Sequence, residues 1–409
     1  MKQGNALSLP KGWELKKMGE VLSIERGGSP RPIEKYMTNS PDGINWIKIS
    51  DATASDKYIY ETKEKIIKDG LHKTRFVNEG DFILSNSMSF GRPYIMKTTG
   101  CIHDGWLVLK QNGKKIFETE FLYYLLSSPF VFQQFNSKAA GSTVRNLNIS
   151  LVSSVDVPIP PLPEQQRIVA ILDDAFTKIG KAKANAEQNL KNAKELFESL
   201  LFRIFDLGIN EEKWELEKLE KFSKVVVGYV GPISKEYTAD LKSVLLLSTK
   251  NITSKGVSLE KLTRINYAFH NKNIKSQLLP GDILVARHGN SGQAAVIPVS
   301  IEEAHALNVI IIKKSETISS EYICFLLNSG VLDKIAASKG GSVQEIINTS
   351  IIKDLVIPYP PIKTQKIVVQ KLEALSKETK KLEAIYKQKI KDLEELKKSV
   401  LQKAFSGEL

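Results

Sequence analysis

The sequence VPIPPLPEQQRIV, residues 157–169, returns about 200 residues later as IPYPPIKTQKIV, residues 357–368. The prolines of each copy remove backbone donors and disfavour helical geometry, so both stretches are predicted to be stiff, non-helical connectors. A long tract with helical spacing of apolar residues follows each connector. The chain is therefore predicted to consist of two similar halves, each a globular unit followed by one long helix.

The repeat extends through both halves. GWELKKMGEV around Trp13 matches KWELEKLEKF around Trp214, and NEGDFIL (78–84) matches LPGDILV (279–285). FLYYLLSS (121–128) likewise matches YICFLLNS (322–329), and SKAAGS (137–142) matches SKGGS (338–342). A fixed period of this kind indicates duplicated architecture. The predicted boundaries are globular domains at 1–161 and 209–361, with helices at 162–208 and 362–409.

Both helical tracts carry a narrow apolar stripe in steps of three and four residues, as in coiled coils. Lys183 interrupts the first stripe, and Thr379 and Lys389 interrupt the second. The predicted interface residues are Leu172, Phe176, Ile179, Leu190, Phe197, Leu200, Leu372, Leu375, Leu382, Leu393, Leu396 and Val400. One interpretation is that each stripe packs on its own globular neighbour. The other is mutual pairing, favoured because about 40 residues form a rod of roughly 60 Å, longer than such a domain is wide.

Mutual pairing predicts a pseudo-twofold arrangement, in which the helices run antiparallel and the globular units lie at opposite ends. The globular units are predicted to be mixed α/β (α+β) domains in tandem. Short strands are expected at INWIKIS (44–50), DFILS (81–85), GWLVLK (105–110), SVLLLS (243–248) and NVIIIK (308–313). Short helices are expected at Glu118 to Leu126 and at Glu321 to Leu327.

Composition limits the partners. Lys and Arg number 58 against 46 Asp and Glu, a formal charge of +12. This favours polyanions, although a solvated basic surface gives the same count. Cys101 and Cys324 are isolated, which predicts neither disulfide nor zinc site and is typical of the cytoplasm. The sequence has no apolar segment of membrane-spanning length, so no membrane partner is expected. His103 and His305, which align between the halves, are predicted to be structural.

The two connector-helix motifs resemble the conserved helical regions of the specificity subunits of type I restriction-modification systems. PIPPLPEQQRIVAILD (158–173) and PYPPIKTQKIVVQKLE (358–373) resemble the starts of those regions, while SLLFRIF (199–205) and SVLQKAFSGEL (399–409) resemble their ends. WIKISD (46–51) and the turns Gly80-Asp81 and Gly281-Asp282 resemble the family's target recognition domains. One departure is that Lys363 and Thr364 are aligned with Glu164 and Gln165, so the second helix lacks an acidic first turn.

The resemblance implies two target recognition domains, each reading half of an interrupted site in double-stranded DNA, with the helix pair as a fixed spacer. It also implies two modification subunits, which bind S-adenosylmethionine and methylate adenine, and restriction translocase subunits. No cofactor is expected in this chain, and S-adenosylmethionine, ATP and Mg belong to those partners.

Readers of DNA bases are sought where the two halves share a framework but differ in side chains. Aligning the Gly-Asp turns pairs Gly91 with Gly292, and places Ser85, Asn86, Ser87, Ser89 and Arg92 against Ala286, Arg287, His288, Asn290 and Gln293. Arg can bind guanine with two hydrogen bonds, and Asn or Gln can bind adenine in the same way. Asn86 and Arg92 are therefore hypothesised to read the first half-site, and Arg287 and Gln293 the second. The alternative is that such polar residues only stabilise turns.

A second set of residues is predicted to contact phosphates or a groove. Arg26 and Arg31 flank or lie in GGSPRP (27–32), and others lie in SKAAGSTVRN and SKGGSVQE. The full DNA-contact set comprises Arg26, Arg31, Asn86, Arg92, Lys138, Ser142, Arg145, Lys250, Arg287, His288, Asn290, Gln293, Lys339, Ser342 and Gln344.

Catalytic signatures are absent from the sequence. The Pro-Pro pairs at 160–161 and 360–361 lack the preceding polar residue of an adenine methyltransferase loop, and no Walker loop or metal-ligand spacing occurs. The chain is predicted to be a non-catalytic DNA-binding subunit. The alternative is a coiled-coil scaffold without sequence-selective DNA binding.

Overall fold

The computed structural model describes residues 9–52, 56–86, 90–111, 113, 115–139, 146–212, 214–253, 256–260, 262–288, 292–329 and 347–409. The chain forms two compact units. Unit 1 runs to Ala186 and includes Gln388–Leu409, whereas unit 2 is Glu187–Lys387. Both long helices are thus divided between the units. The reason is that each helix half packs on the globular part beside it.

Unit 1 contains two five-stranded sheets. In spatial order, one has the strands Met37–Thr38, Glu64–Ile66, Ile44–Ile47, Gly100–Ile102 and Arg75–Val77. The other has Ser23–Arg26, Trp106–Lys110, Phe82–Ser85, Pro93–Met96 and Tyr58–Ile59. The helices of its globular part are Met18–Val21, Ile49–Ala52, Thr119–Leu126, Pro129–Ala139 and Ile149–Ser153.

Unit 2 repeats this topology. Its five-stranded sheet has the order Tyr237–Thr238, Thr263–Ile265, Val244–Leu247, Ala304–Ala306 and Gln277–Leu278. Its four-stranded sheet has the order Val225–Val227, Ile310–Ile312, Ile283–Val285 and Ala294–Val296. A small hairpin joins Ile252–Thr253 to Gly256–Val257, and the short helices are Tyr267–Lys272, Ser320–Leu327 and Thr349–Lys353. The predicted mixed α/β repeat is confirmed, including all five predicted strand regions.

Each proline connector is a strand. Asp156–Ile159 pairs antiparallel with Glu14–Lys17 in unit 1, and Val356–Tyr359 pairs with Glu215–Lys218 in unit 2. A two-stranded sheet leaves the outer edge of each strand unpaired, which is where a proline without an N–H is tolerated. The start and end of each repeat are therefore joined directly before the long helix begins.

The two long helices are Leu162–Asn210, here called the central helix, and Ile362–Ser406, here called the C-terminal helix. They run antiparallel in unit 1. In unit 1, Arg167 donates to the Leu409 carbonyl oxygen at 2.7 Å, and Lys183 Nζ lies 2.7 Å from Glu394 Oε1. The residue numbers rise along one helix as they fall along the other. Lys183, the charged interruption of the first stripe, thus has an acidic partner on the facing helix.

The helix ends belong to the cores of the units. Phe405 packs edge-on against Phe121 in unit 1, and Phe205 packs in the same way against Tyr322 in unit 2, at ring-centroid distances of 5.4 and 5.6 Å. All four side chains are fully buried. Both interpretations of the stripes therefore apply, because each helix contacts the other helix and a globular domain.

The second stripe differs from the predicted one over part of its length. Leu382 and Leu396 are exposed, at 41% and 48%, although the three-and-four stepping placed them at the interface. After the buried Thr379, the partly covered positions continue through Tyr386 and Ile390. From Thr379 the covered positions step by four and then three residues, whereas the predicted stripe steps by three and then four, so Tyr386 and Leu393 belong to both. Lys389 is therefore exposed and the neighbouring Ile390 is partly covered.

The other predicted interface residues are covered. Leu172 and Leu372 are fully buried. The remainder are partly buried, namely Phe176, Ile179, Leu190, Phe197, Leu200, Leu375, Leu393 and Val400.

Candidate nucleic-acid interface

Two loops with the same backbone framework carry the predicted readers. In unit 1, the Gly91 N–H donates to the Ser85 carbonyl oxygen at 2.9 Å, and the Ser85 N–H donates to Arg92 at 3.1 Å. In unit 2, Gly292 and Ala286 make the same bond at 3.0 Å. The Ala286 N–H also donates to Gln293, at 2.9 Å. These matched bonds place Asn86 and Arg287 at equivalent positions of the two loops, as the alignment of the Gly-Asp turns predicts.

Asn86 differs from the prediction that it reads DNA. Its side chain is 2% exposed, and its amide donates to the Asp104 carbonyl oxygen at 2.7 Å. Its own backbone donates to Gly105 and accepts from Leu147. Because the buried amide already holds a turn within the protein, Asn86 stabilises the fold of the loop. The sequence alignment identified the right position but could not show which way the side chain turns.

Asp104 contacts three segments that contain predicted DNA-binding residues or lie beside them. Its carbonyl oxygen accepts bonds from Asn86 and from Arg26 Nε, the latter at 3.2 Å. Its carboxylate accepts a bond from Ser29 Oγ at 2.8 Å, and this bond lowers the pKa of Asp104. The strand end at Arg26, the GGSPRP loop and the loop after Ser85 therefore meet at one turn. Sequence analysis did not identify Asp104, whose role depends on contacts far apart in the chain.

The equivalent region of unit 2 is built differently. Arg287 is partly buried, and its Nη1 donates to Asn308 Oδ1 at 3.2 Å. The Ile347 N–H donates to the Arg287 carbonyl oxygen at 3.4 Å. This bond matches the one between Leu147 and Asn86 in unit 1, at 2.8 Å. The two units thus share a framework and differ in the chemistry of the side chain that it holds.

The other predicted contact residues are spread over the surfaces of their units. Arg92 forms an ion pair with Asp56 at 2.9 Å, and its guanidinium carbon lies 5.2 Å from the centre of the Tyr94 ring. Gln293 is partly buried, and the exposed residues are Arg26, Arg31, Lys138, Lys250 and His288. Six predicted residues lie outside the described part of the chain, namely Ser142, Arg145, Asn290, Lys339, Ser342 and Gln344.

The histidines are not equivalent in the two units. His103 follows a strand, and its N–H donates to Ile47, whereas Leu307 makes the corresponding bond to Leu247 in unit 2. His305 lies two residues earlier, facing Leu246, where unit 1 has Cys101 facing Trp46. The predicted alignment of His103 with His305 is therefore wrong.

Both histidines nevertheless lie within the protein fold. His305 is fully buried, with its Nδ1 3.2 Å from His270 Nδ1, and burial lowers its pKa to about 4. Burial also lowers the pKa of His103, whose Nδ1 accepts the Gly105 N–H at 2.6 Å. Within the described residues, no group of three or more His, Cys, Asp or Glu side chains is placed to hold a metal ion.

Two buried glutamines at the helix starts also escaped the sequence analysis. Gln165 donates to Pro160 O and accepts the Glu118 N–H, and Gln365 does the same with Pro360 and Ser319. Gln165 is thus equivalent to Gln365. Lys363 and Thr364 consequently correspond to Pro163 and Glu164, one position away from the alignment proposed on sequence. The equal spacing of Gln165 and Gln365 from their Pro-Pro pairs could have revealed this.

Comparison with known proteins identifies the class. The family model described as "Type I restriction modification DNA specificity domain" matches residues 10–191 and again residues 220–392. The chain therefore belongs to the type I restriction-modification DNA specificity family. Its function is that of a specificity subunit, and the alternative of a scaffold without DNA recognition is not supported.

Individual relatives align with this chain over nearly their whole lengths. The type I restriction enzyme MjaVIII specificity subunit of Methanocaldococcus jannaschii is 24% identical, covering 100% of this chain and 95% of the relative. The EcoKI specificity subunit of Escherichia coli K12 is 20% identical, covering 99% and 91%.

Solved structures share the fold. A chain from a study of complex assembly and conformational transition of the type I restriction-modification system has a TM-score of 0.80, with 19% identity and coverage of 98% and 100%. The HsdS subunit from Thermoanaerobacter tengcongensis has a TM-score of 0.62, with 18% identity and full coverage of both chains. In the described part of this chain, no helix combines the length and apolarity needed to cross a membrane.

Proposed function

We propose that each unit reads one half of an interrupted DNA site, through loops held on the shared framework. The observation that carries this proposal is the pairing of matched backbone hydrogen bonds with unmatched side chains. Asn86 and Arg92 in unit 1 are replaced by Arg287 and Gln293 in unit 2. Side chains that contact base edges determine sequence choice, whereas a common scaffold determines where they are presented. Two such units in one chain suit two different half-sites.

Within unit 1, the reading role passes from Asn86 to the exposed Arg92, and the exposed Arg26 is proposed as a phosphate contact. Arg92 is 44% exposed at its side chain and is steadied by Asp56 and Tyr94. Arg26 is exposed beside the turn at Asp104. These cations can approach a groove without first breaking a buried contact. Lys138 and Lys250 are proposed as phosphate contacts, because exposed ammonium groups give affinity without sequence choice.

The long helices are proposed to set the spacing of the half-sites and to bind partner subunits. Their exposed apolar residues include Leu196 at 53% and Ile385 at 58%, together with Leu382 and Leu396. Leu382 and Ile385 lie three residues apart on the C-terminal helix, and adjacent exposed apolar side chains are more typical of an interaction surface than isolated ones. The partners proposed here are two modification subunits, joined by restriction subunits.

The chain itself is proposed to be non-catalytic. S-adenosylmethionine, ATP and Mg are assigned to the modification and restriction subunits, and the chain supplies the DNA sequence choice. This division matches the composition of the candidate interface, which holds turns and cations. The two target recognition domains are proposed to be residues 1–161 and 209–361.

The test is to co-express the chain with a cognate modification subunit in a methylation-free host and to map methylated adenines across the genome. A single interrupted motif that depends on this chain is the expected result. The absence of any motif, with a modification subunit shown to be active beside another specificity subunit, would contradict the proposal.

A further inference from the structure

A turn in unit 2 holds the candidate reader Arg287 through one unusual residue. Asn308, between the strands Ala304–Ala306 and Ile310–Ile312, has a φ of 54°. Among the described residues it is the one non-glycine residue with positive φ, a region in which Asn is tolerated better than most side chains. Its N–H donates to the Tyr229 carbonyl oxygen at 2.9 Å. The backbone of Asn308 is therefore fixed before its side chain makes any contact.

The side chain of Asn308 then contacts the reading loop. Its Oδ1 accepts a hydrogen bond from Arg287 Nη1 at 3.2 Å, across 21 residues of sequence. The Arg287 backbone is itself fixed by the N–H of Ile347. An arginine discriminates guanine through two bonds in a fixed plane, so its selectivity depends on how that plane is held. The hydrogen bond from Arg287 to Asn308 restricts the orientation of this plane.

The turn of unit 1 that corresponds to the Asn308 turn also has different residues, as the loop does. Gly27 donates to Trp106 as Gly228 donates to Val309, which places Gly105 at the position of Asn308. A Cβ at Gly105 would lie 2.2 Å from the His103 ring, so no side chain fits there. The loop residue of unit 1, Asn86, instead bonds the neighbouring carbonyl of Asp104. The loop residue and the turn residue therefore differ together between the units. Unit 1 has Asn86 in the loop and Gly105 in the turn, whereas unit 2 has Arg287 in the loop and Asn308 in the turn.

We propose that Asn308 is a positioning residue that orients the Arg287 guanidinium and thereby determines one base pair of the second half-site. This inference rests on the proposed function, in which Arg287 reads a guanine edge. Asn308 does not contact DNA in this scheme. Its effect on sequence choice passes through Arg287.

The experiment compares methylation motifs directed by the full chain with its modification subunit. Asn308→Gly keeps the positive φ but removes the amide, and Asn308→Asp keeps an acceptor for Arg287. Arg287→Ala removes the reader. Asn273→Gly is the matched control, because the Asn273 side chain donates to Phe269 and not to Arg287.

Asn308→Gly is expected to relax one position of the second half-site, the position that Arg287→Ala relaxes, by about tenfold in discrimination. Asn308→Asp and the control are expected to keep the motif, and the first half-site is expected to stay unchanged throughout. Relaxation by Arg287→Ala with an unaltered motif in Asn308→Gly would overturn the positioning role and leave the proposed reader intact. An unaltered motif in Arg287→Ala would overturn both. Should Asn308→Gly fail to assemble, a relaxed motif in Asn308→Asp overturns the inference and a retained motif supports it.

Discussion

Gln165 and Gln365 make the same hydrogen bond at the start of the two long helices. Each side-chain amide donates to a proline carbonyl oxygen five residues earlier, Pro160 at 2.9 Å and Pro360 at 2.8 Å. Both glutamines are fully buried. Their carbonyl oxygens accept backbone N–H groups of the globular domain, so each glutamine joins connector, helix and domain. Each glutamine therefore holds the first turn of its long helix against the connector and the domain.

Replacing Gln165 with alanine is expected to lower the free energy of unfolding by about 2–4 kcal/mol, because buried backbone groups lose their partners. Urea denaturation of the full chain, followed by circular dichroism, measures the change. Gln166→Ala is the control, since Gln166 is exposed and its side chain donates to the Glu118 carboxylate at 3.1 Å. An equal effect of the two substitutions would contradict the anchoring role.

Asn86→Ala is expected to destabilise unit 1 by about 1–3 kcal/mol without changing the methylated motif. The reason is that the buried Asn86 amide bonds the Asp104 carbonyl oxygen and faces no solvent. Thermal unfolding and methylation mapping of the same variant give the two measurements. A change of one base in the first half-site at unaltered stability would restore Asn86 as a reader.

Arg26→Ala and Lys250→Ala are expected to weaken DNA binding equally for matched and mismatched sequences. Each lost phosphate contact lowers the slope of log affinity against log salt by about 0.9, because fewer counterions are released. Binding titrations of the assembled complex over a range of salt concentrations measure the slope. Lys178→Ala, on the central helix beside Asp174, serves as the control and is expected to leave the slope unchanged. A sequence-dependent loss in Lys250→Ala would instead assign Lys250 to base recognition.

The buried His305 is expected to make unit 2 sensitive to acid. Burial, followed by the influence of His270, lowers the pKa of His305 to about 4, whereas in the unfolded chain it returns towards 6.5. Between these values the unfolded state binds a proton that the native state does not, so the stability is present above pH 6.5 and falls as the pH drops towards 4. The loss reaches about 2–3 kcal/mol.

His305→Cys tests this expectation, because Cys101 occupies the corresponding position in unit 1. Unfolding free energies at pH 7.5 and pH 5 are expected to converge in this variant relative to the parent chain. The exposed His72 provides the control substitution, His72→Ala, which is expected to retain the full difference. A parent chain equally stable at both pH values would contradict the expectation.

Shortening both helices is expected to shorten the DNA spacer and to leave both half-sites unchanged. Lys183 faces Glu394, and Lys397 Nζ lies 5.1 Å from the Phe176 ring centre, so residues 177–183 and 394–400 face one another in unit 1. Deleting both heptads removes about 10 Å of helix, equivalent to about three base pairs. Methylation mapping measures the spacer. An unchanged spacer in an active complex would exclude the helices as its determinant, and deleting one heptad alone should disrupt assembly.

Much of the architecture follows from local sequence. Prolines 158 and 358 exclude helix within the connectors, and the stepped apolar residues that follow specify helices of sufficient length to require pairing. The repeated Gly-Asp turns fix equivalent loops, because a glycine with positive φ is needed at both Gly80 and Gly281. These signals act over a few residues each, so their spacing in the sequence is sufficient to identify them.

The roles of single residues at the candidate interface could not be read in this way. Asn86 and Arg287 occupy the same loop position, but only the folded chain shows that one side chain bonds the Asp104 carbonyl oxygen and the other bonds Asn308. Leu382 satisfies the three-and-four stepping and is nevertheless exposed, whereas the neighbouring Glu383 is partly covered. His103 and His305 align by spacing, whereas strand pairing separates them by two residues.

The sequence by itself determined the duplication, the two long helices and the family, since these depend on periodicity, proline chemistry and motifs that are contiguous in the chain. Tertiary structure decided which polar side chains are buried as anchors and which remain exposed at the surface. The physical reason is that a hydrogen bond between residues 21 positions apart, as between Arg287 and Asn308, leaves no local pattern. Burial is a property of the assembled sheets and turns, and it distinguishes the buried Asn86 from the partly buried Arg287.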